Sequence, residues 1–224
     1  MESGIRSVGT DRQDGRNRAY NPPVGASPES EDQMAIAGIN FHGPINHPAT
    51  TKLRNVLCSG INERLQDGKR KFDKLCLFMN SVGGNLDDGL ALFGFLRSLP
   101  VELTTINVGL VASIAIAPFL AGKKRIALPN SRFHFHDFEW NYGAPHDLTR
   151  LEYQDHLQVL NSARDVVFEL LKQNTSLTDS DLKELELLEV PTIKDAAFAK
   201  EKGIVHEVNF FPVPEEMNIF NVDY

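Results

Sequence analysis

The run KLCLFMNS (Lys74–Ser81) limits the fold more than any other stretch of this 224-residue chain. It is unbroken apolar sequence from Leu75 to Met79, with turn residues beyond it. A strand with one wet face alternates polar and apolar side chains. A strand that does not alternate is covered on both faces, as in a parallel sheet. Parallel strands need crossover connections, and the neighbouring sequence supplies them. GNLDDGLALFGFLRSLP reads as a helix closing at Pro100, VELTTINVG (101–109) as the next strand, and ASIAIAPFLAG (112–122) as a buried helix. Strands alternating with helices give an α/β fold with right-handed crossovers.

The remaining segments fit that frame. AIAGINFHGPI suits a strand and turn, and ATTKLRNVLCSGINERLQDG suits a helix with Leu53, Val56, Leu57, Ile61 and Leu65 on one face, ended by Asp67 and Gly68. KKRIALPNSRFHFHDF carries one or two short strands. A long amphipathic helix runs from about Thr149 to Gln173, with Leu151, Leu157, Leu160, Val167, Leu170 and Leu171 near helical spacing. Thr178 and Asp181 have the spacing of a capping box. DAAFAKEKG (195–203) forms a last helix before the strand-like IVHEVNF. Residues 1–33 are polar and Gly/Pro-rich, the composition of a flexible arm. The body is expected over 34–209, and residues 210–224 form an aromatic tail that should dock on its own or a neighbouring subunit.

Composition narrows the function. With 42% hydrophobic residues and a net charge of −7, the chain is a globular protein whose surface disfavours nucleic acid and anionic membranes. No apolar run approaches the ~20 residues that span a bilayer. The first residues lack an apolar leader core, so a cytoplasmic location is expected. Cys58 and Cys76 are the only cysteines and read as buried free thiols.

Three features carry chemistry. Asn80-Ser-Val-Gly-Gly84 turns from a buried strand into a helix. Its glycines admit a close backbone approach, and its N–H groups can hold an oxyanion; an ordinary strand-to-helix turn needs the same residues. Ser113 stands at the start of an apolar helix, which suits a nucleophile and equally a plain N-cap. In Phe133-His-Phe-His-Asp137 the strand period puts His134 and His136 on one face. The two could be a base pair, half a metal site or merely a polar face; the metal reading is weak because Asp137, the carboxylate at ligand spacing, points to the opposite face, and no cofactor is called for.

The order of these pieces, NSVGG (80–84), GLVASIA (109–115) and ALPNSRFHFH (127–136), resembles the Clp protease proteolytic subunit family. The resemblance runs from about residue 35 to 208 and includes DGLALFGFLRSLP and AKEKGIV. It implies the α/β spiral of ββα units shared with crotonases, with a protruding handle formed by the long helix, and a serine endopeptidase acting on peptides or unfolded proteins. By the same resemblance Ser113 is the nucleophile and His136 the general base, while the amides of Gly84 and Ile114 form the oxyanion hole. His134 stands at a position usually apolar in the family. A homo-oligomeric heptameric ring or double ring is implied, with an ATP-dependent unfoldase as candidate partner and no metal or cofactor. WNYGAPHD (140–147) would lie near the substrate-pairing strand.

The sequence departs from the family pattern at the third triad position, where Pro191 stands in place of Asp. Glu189 ranks first as substitute carboxylate and Asp195 second. Val82 replaces the usual proline of the turn, and Pro118 falls within the nucleophile helix, where a kink is expected. Pro191 motivates a second reading, a weakly active or inactive structural subunit acting with an active paralogue. A third is a crotonase-type acyl-CoA enzyme, which would not need the Ser113–His136 pair.

Overall fold

A computed structural model of the chain describes residues 36–222 except 66–67, 69–71, 138, 140–146 and 185–191. The calls on the arm (1–33), Asp67, residues 140–146 of WNYGAPHD, Glu189 and Pro191 therefore lie outside the described residues.

Among the described residues, eight strands make one sheet: β1 (Ile36–His42), β2 (Lys74–Ser81), β3 (Glu102–Ala112), β4 (Lys124–Ala127), β5 (Arg132–Phe135), β6 (Thr192–Asp195), β7 (Glu207–Val208) and β8 (Asn218–Val222). The main path runs β6-β5-β3-β2-β1-β8, with β4 between β3 and β7 on a branch. All described pairings are parallel except β5 with β6. The helices are α1 (His47–Asn62), α2 (Leu86–Ser98), α3 (Ile116–Leu120), α4 (Arg150–Asn174), α5 (Asp179–Glu184) and α6 (Ala196–Glu201). The α/β architecture read from the sequence is the one observed.

Strand β2 shows what its composition meant. Leu75, Leu77 and Met79 face the main core, built with α1, α2 and α3. Cys76 and Phe78 face a second cluster with Ile106, Ile126 and Met217. The second cover is thus the C-terminal tail of the same chain rather than another helix layer. Phe211 meets Phe78 edge to face at 5.7 Å, and β8 pairs with β1 from Ala37 to Phe41. A side chain at Gly38 would collide with Met217 and Ile219 at 2.9 and 3.0 Å, so this glycine lets the tail lie flat.

Strand β3 forks. Its first half, Thr104–Asn107, pairs with β4, and its end, Leu110–Ala112, pairs with β5. The fork follows an irregularity: the register against β2 shifts between Met79 and Ser81, so that Met79 faces Asn107 but Ser81 faces Val111. The extra residues of β3 bulge outward, and two asparagines hold the bulge. Asn80 Oδ1 accepts from Leu110 N (2.9 Å), and Asn107 Oδ1 accepts from Gly109 N (3.0 Å). Asn107 Nδ2 also donates to the Arg132 carbonyl at the start of β5 (2.9 Å).

Several local expectations need correction. Helix α1 ends at Asn62, so Leu65 lies beyond it, 49% exposed. Cys58 is exposed and only Cys76 is buried, because Cys58 sits on the solvent side of α1. The buried helix begins later than residue 112: β3 continues to Ala112, a 3-10 turn covers Ser113–Ala115, and α3 starts at Ile116. Pro118 therefore falls in the first turn of α3, where its missing N–H has no intrahelical partner to lose, and no kink is needed. The buried residues of helix α4 are Ala163, Val167, Leu170 and Leu171, and the half-buried Phe168 also packs on the core. Leu151 and Leu157, also on the expected stripe, are 75% and 47% exposed. The Thr178–Asp181 box forms as read, with Asp181 N donating to Thr178 Oγ1 and Thr178 N donating to Asp181 Oδ2 (3.1 and 2.8 Å).

Candidate active site

Ser113 is the first residue after β3 and the only described non-glycine with positive φ, at 53°. That conformation costs a side-chain-bearing residue on the order of 1–3 kcal/mol, and such outliers persist where the surroundings over-determine them. Here the bulge of β3, pinned by Asn80 and Asn107, and the fully packed Ile114 on its other side fix the turn. The hydroxyl makes no hydrogen bond among the described residues. It does not cap the following turn, which has no side-chain cap.

The Gly-Gly turn sits directly against this serine. A Cβ on Gly83 would lie 2.6 Å from Ser113 Cβ and 3.3 Å from Ile114 N, and Gly83 has φ 86°. The turn is locked to the chain after β1: Ile45 N donates to the Gly83 carbonyl (2.8 Å), and Asn85 N donates to the Ile45 carbonyl (2.7 Å). This bridge skips the Gly84 amide, while the Gly83 amide donates to Ser81 Oγ (3.2 Å). Gly84, with φ 149°, is packed so closely on Ile45 that no side chain fits. Asn85 then caps α2 by accepting from Asp88 N (2.9 Å).

His136 follows β5, whose pairing with the end of β3 carries it toward Ser113. Ser113, His136, Gly83 and Gly84 line one cleft of about 790 Å³, walled by Val82, Leu86, Val159 and Leu160 and bordered by Asp87, Asp137 and Glu139. Among the described residues, the cleft lining contains no Lys or Arg. His136 Nδ1 lies 2.7 Å from the main-chain carbonyl oxygen of Asp137. The His134 ring stands beside it, centroids 5.3 Å apart and tilted by 52°. Burial, then the neighbouring His136, holds His134 below the ordinary histidine value. No hydrogen bond joins Ser113 to His136 among the described residues.

The structure thus brings together Ser113, His136, Gly84 and Ile114. Asp195 does not join them. It faces Arg132 in the β5–β6 register, and its Oδ1 accepts from Phe198 N (2.8 Å) as the cap of α6. The described residues include no group of three or more His, Cys, Asp or Glu arranged to hold a metal ion, and no helix among them is long and apolar enough to cross a membrane. The sequence alone does not single out Asn80 and Asn107 as supporting residues. Asn80 was visible within NSVGG, but a bulge leaves no periodic signal from which its partner could be read.

Comparison with known proteins gives the chain a family and relates its fold to a solved structure. The family described as Clp protease matches residues 52–210, which hold both Ser113 and His136. The chain is 30% identical over 152 residues to the ATP-dependent Clp protease proteolytic subunit 3 of Synechococcus sp. (strain CC9605), covering 65% of this chain and 72% of that protein. It is 29% identical over the same length to the subunit of the same name from Parasynechococcus marenigrum (strain WH8102), again covering 65% and 72%. Among solved structures, the ClpP1 N165D mutant from Listeria monocytogenes superposes with a TM-score of 0.59 at 21% identity, covering 76% of this chain and 90% of that one, and so shares its fold. The chain belongs to the Clp protease family.

Proposed function

We propose that this chain is a serine endopeptidase that hydrolyses peptides or unfolded proteins, with Ser113 as nucleophile and His136 as general base. The observation that carries the reading is Ser113 itself: a serine held at positive φ, its hydroxyl unpaired among the described residues, in a cleft shared with His136 and a glycine turn. Ser113 Oγ attacks the scissile carbonyl while His136 takes its proton, then returns it to the departing amine. The oxyanion receives the amides of Gly84, which the Ile45 bridge leaves unused, and Ile114, the second residue of the 3-10 turn that Ser113 opens. Water then hydrolyses the acyl-enzyme by the same steps in reverse.

The exposed Leu151, Leu157 and Val166 of α4 support self-assembly through this helix into a homo-oligomeric ring or double ring, in the cytoplasm, with an ATP-dependent unfoldase delivering folded substrates. Hydrolysis of denatured casein and short fluorogenic peptides tests the enzymatic reading. Ser113→Ala and His136→Ala should each abolish turnover while leaving the elution volume on gel filtration unchanged. Equal, background-level turnover by wild type and Ser113→Ala would leave the structural-subunit reading instead. Acyl-CoA turnover surviving Ser113→Ala would favour the crotonase-type reading.

A further inference from the structure

A general-base histidine needs its proton on the ring nitrogen facing away from the nucleophile. In a Ser-His-Asp triad the carboxylate does two things: it holds that tautomer and orientation, and it offsets the imidazolium charge formed during attack. In this chain the Nδ1 of His136 already has a partner, the main-chain carbonyl oxygen of Asp137 at 2.7 Å. A carbonyl oxygen has no proton to give, so the shared proton resides on Nδ1, and Nε2 keeps the lone pair. His134, tilted against the ring with centroids 5.3 Å apart, limits its rotation from one side. Asp195 is occupied at the α6 cap, opposite Arg132 rather than His136.

We infer that the main-chain carbonyl of Asp137 is the positioning group for His136, so that the base-competent tautomer does not depend on a carboxylate. The inference rests on the assignment of Ser113 and His136 made above. It also gives the proline at 191 a physical reading. A carbonyl supplied by the adjacent residue fixes the ring locally, and the position that would present an orienting side chain is released. The carbonyl is a dipole rather than a charge, so it performs the first task of a triad carboxylate fully and the second only in part.

Two perturbations of the full chain test this. Replacing Phe138 by its α-hydroxy analogue turns the Asp137–Phe138 amide into an ester, which weakens the Asp137 carbonyl as an acceptor and alters no side chain. Glu189→Gln and Asp137→Ala remove carboxylates and keep the carbonyl. The readouts are the rate at which a fluorophosphonate acylates Ser113 and the ¹⁵N spectrum of the His136 ring. The ester should slow labelling about tenfold, the scale of one weakened hydrogen bond to a charged ring, and move the ring toward the Nε2–H tautomer. The two carboxylate variants should lose less than tenfold and keep the Nδ1–H tautomer, against the ~10⁴-fold cost of losing a tautomer-holding carboxylate. An ester that labels like wild type, or a carboxylate variant that loses tenfold or more, overturns the inference. If wild type is not labelled at all, the assignment of Ser113 has failed, and the ring spectra alone decide whether the carbonyl holds the tautomer.

Discussion

Helix α2 carries two glycines that face opposite surroundings, and the same substitution at each should have opposite effects. Gly94 is exposed, with nothing within 4 Å of an added Cβ. Alanine there gains helix propensity and restricts the unfolded chain, together worth about 1 kcal/mol. Gly89 is buried, and its added Cβ would lie 2.4 Å from Ile114 Cγ1. Ile114 is 1% exposed and β-branched, so it has no room to rotate away. Overpacking of this kind costs ~1–3 kcal/mol, which outweighs the propensity gain by about 1 kcal/mol. For a domain of this size each kcal/mol moves Tm by ~2–4 °C. Scanning calorimetry at one protein concentration should therefore place Gly94→Ala ~2–4 °C above wild type and Gly89→Ala by a similar amount below it. Fluorophosphonate labelling should slow only in Gly89→Ala, because Ile114 follows the nucleophile directly. A Gly89→Ala protein as stabilised as Gly94→Ala would refute the packing of α2 on the nucleophile turn.

Three further consequences follow from the structure. Arg125, 7% exposed, donates to the carbonyls of Ile204, Asn174 and Gly203 at 2.8–2.9 Å and of Gly122 at 3.3 Å; Arg125→Met should lower unfolding free energy by more than ~3 kcal/mol in urea titration, and Arg125→Lys should recover only part, since an ammonium cannot span four acceptors. Asp181 is held at about 2, below its ordinary 3.8, by the Lys202 side chain first and by Thr178 second; because the folded value is depressed, its contribution is fully present above pH ~4 and is lost as pH falls toward 2, so the stability difference between wild type and Asp181→Asn should shrink over that window. Cys76 is 6% exposed and its thiol is pushed up to about 11 by burial, which the nearby Lys124 only partly offsets, whereas Cys58 is exposed; a thiol reagent at pH 8 should modify Cys58 alone, and a chain ending at Asn209, which lacks Phe211 and Met217, should react at both cysteines. Two reactive thiols in the intact protein would mean that the tail does not cover β2.

Much of the fold was legible because its signals are local. A strand that never alternates is doubly covered, and KLCLFMNS showed that through composition alone. What covered it was not legible, because Phe211 and Met217 reach β2 through pairing of β8 with β1, a contact between the two ends of the described chain. The apolar run places the start of the helix around Ser113 at residue 112, because apolar periodicity cannot register a single positive φ. The same blind spot hid the β3 bulge and the roles of Asn80 and Asn107. Ser113, His136 and the glycine turn were legible as a set from their order. The partner on His136 Nδ1 was not, since a main-chain carbonyl has no residue signature.

The central claim is that Ser113 is a nucleophile activated by His136. The direct measurement is the intact mass and peptide map of the full chain after treatment with a fluorophosphonate. One adduct per chain, carried by the peptide containing Ser113, absent from Ser113→Ala and strongly slowed in His136→Ala, is the expected result. No adduct on wild type, or an adduct that persists in Ser113→Ala, would contradict it.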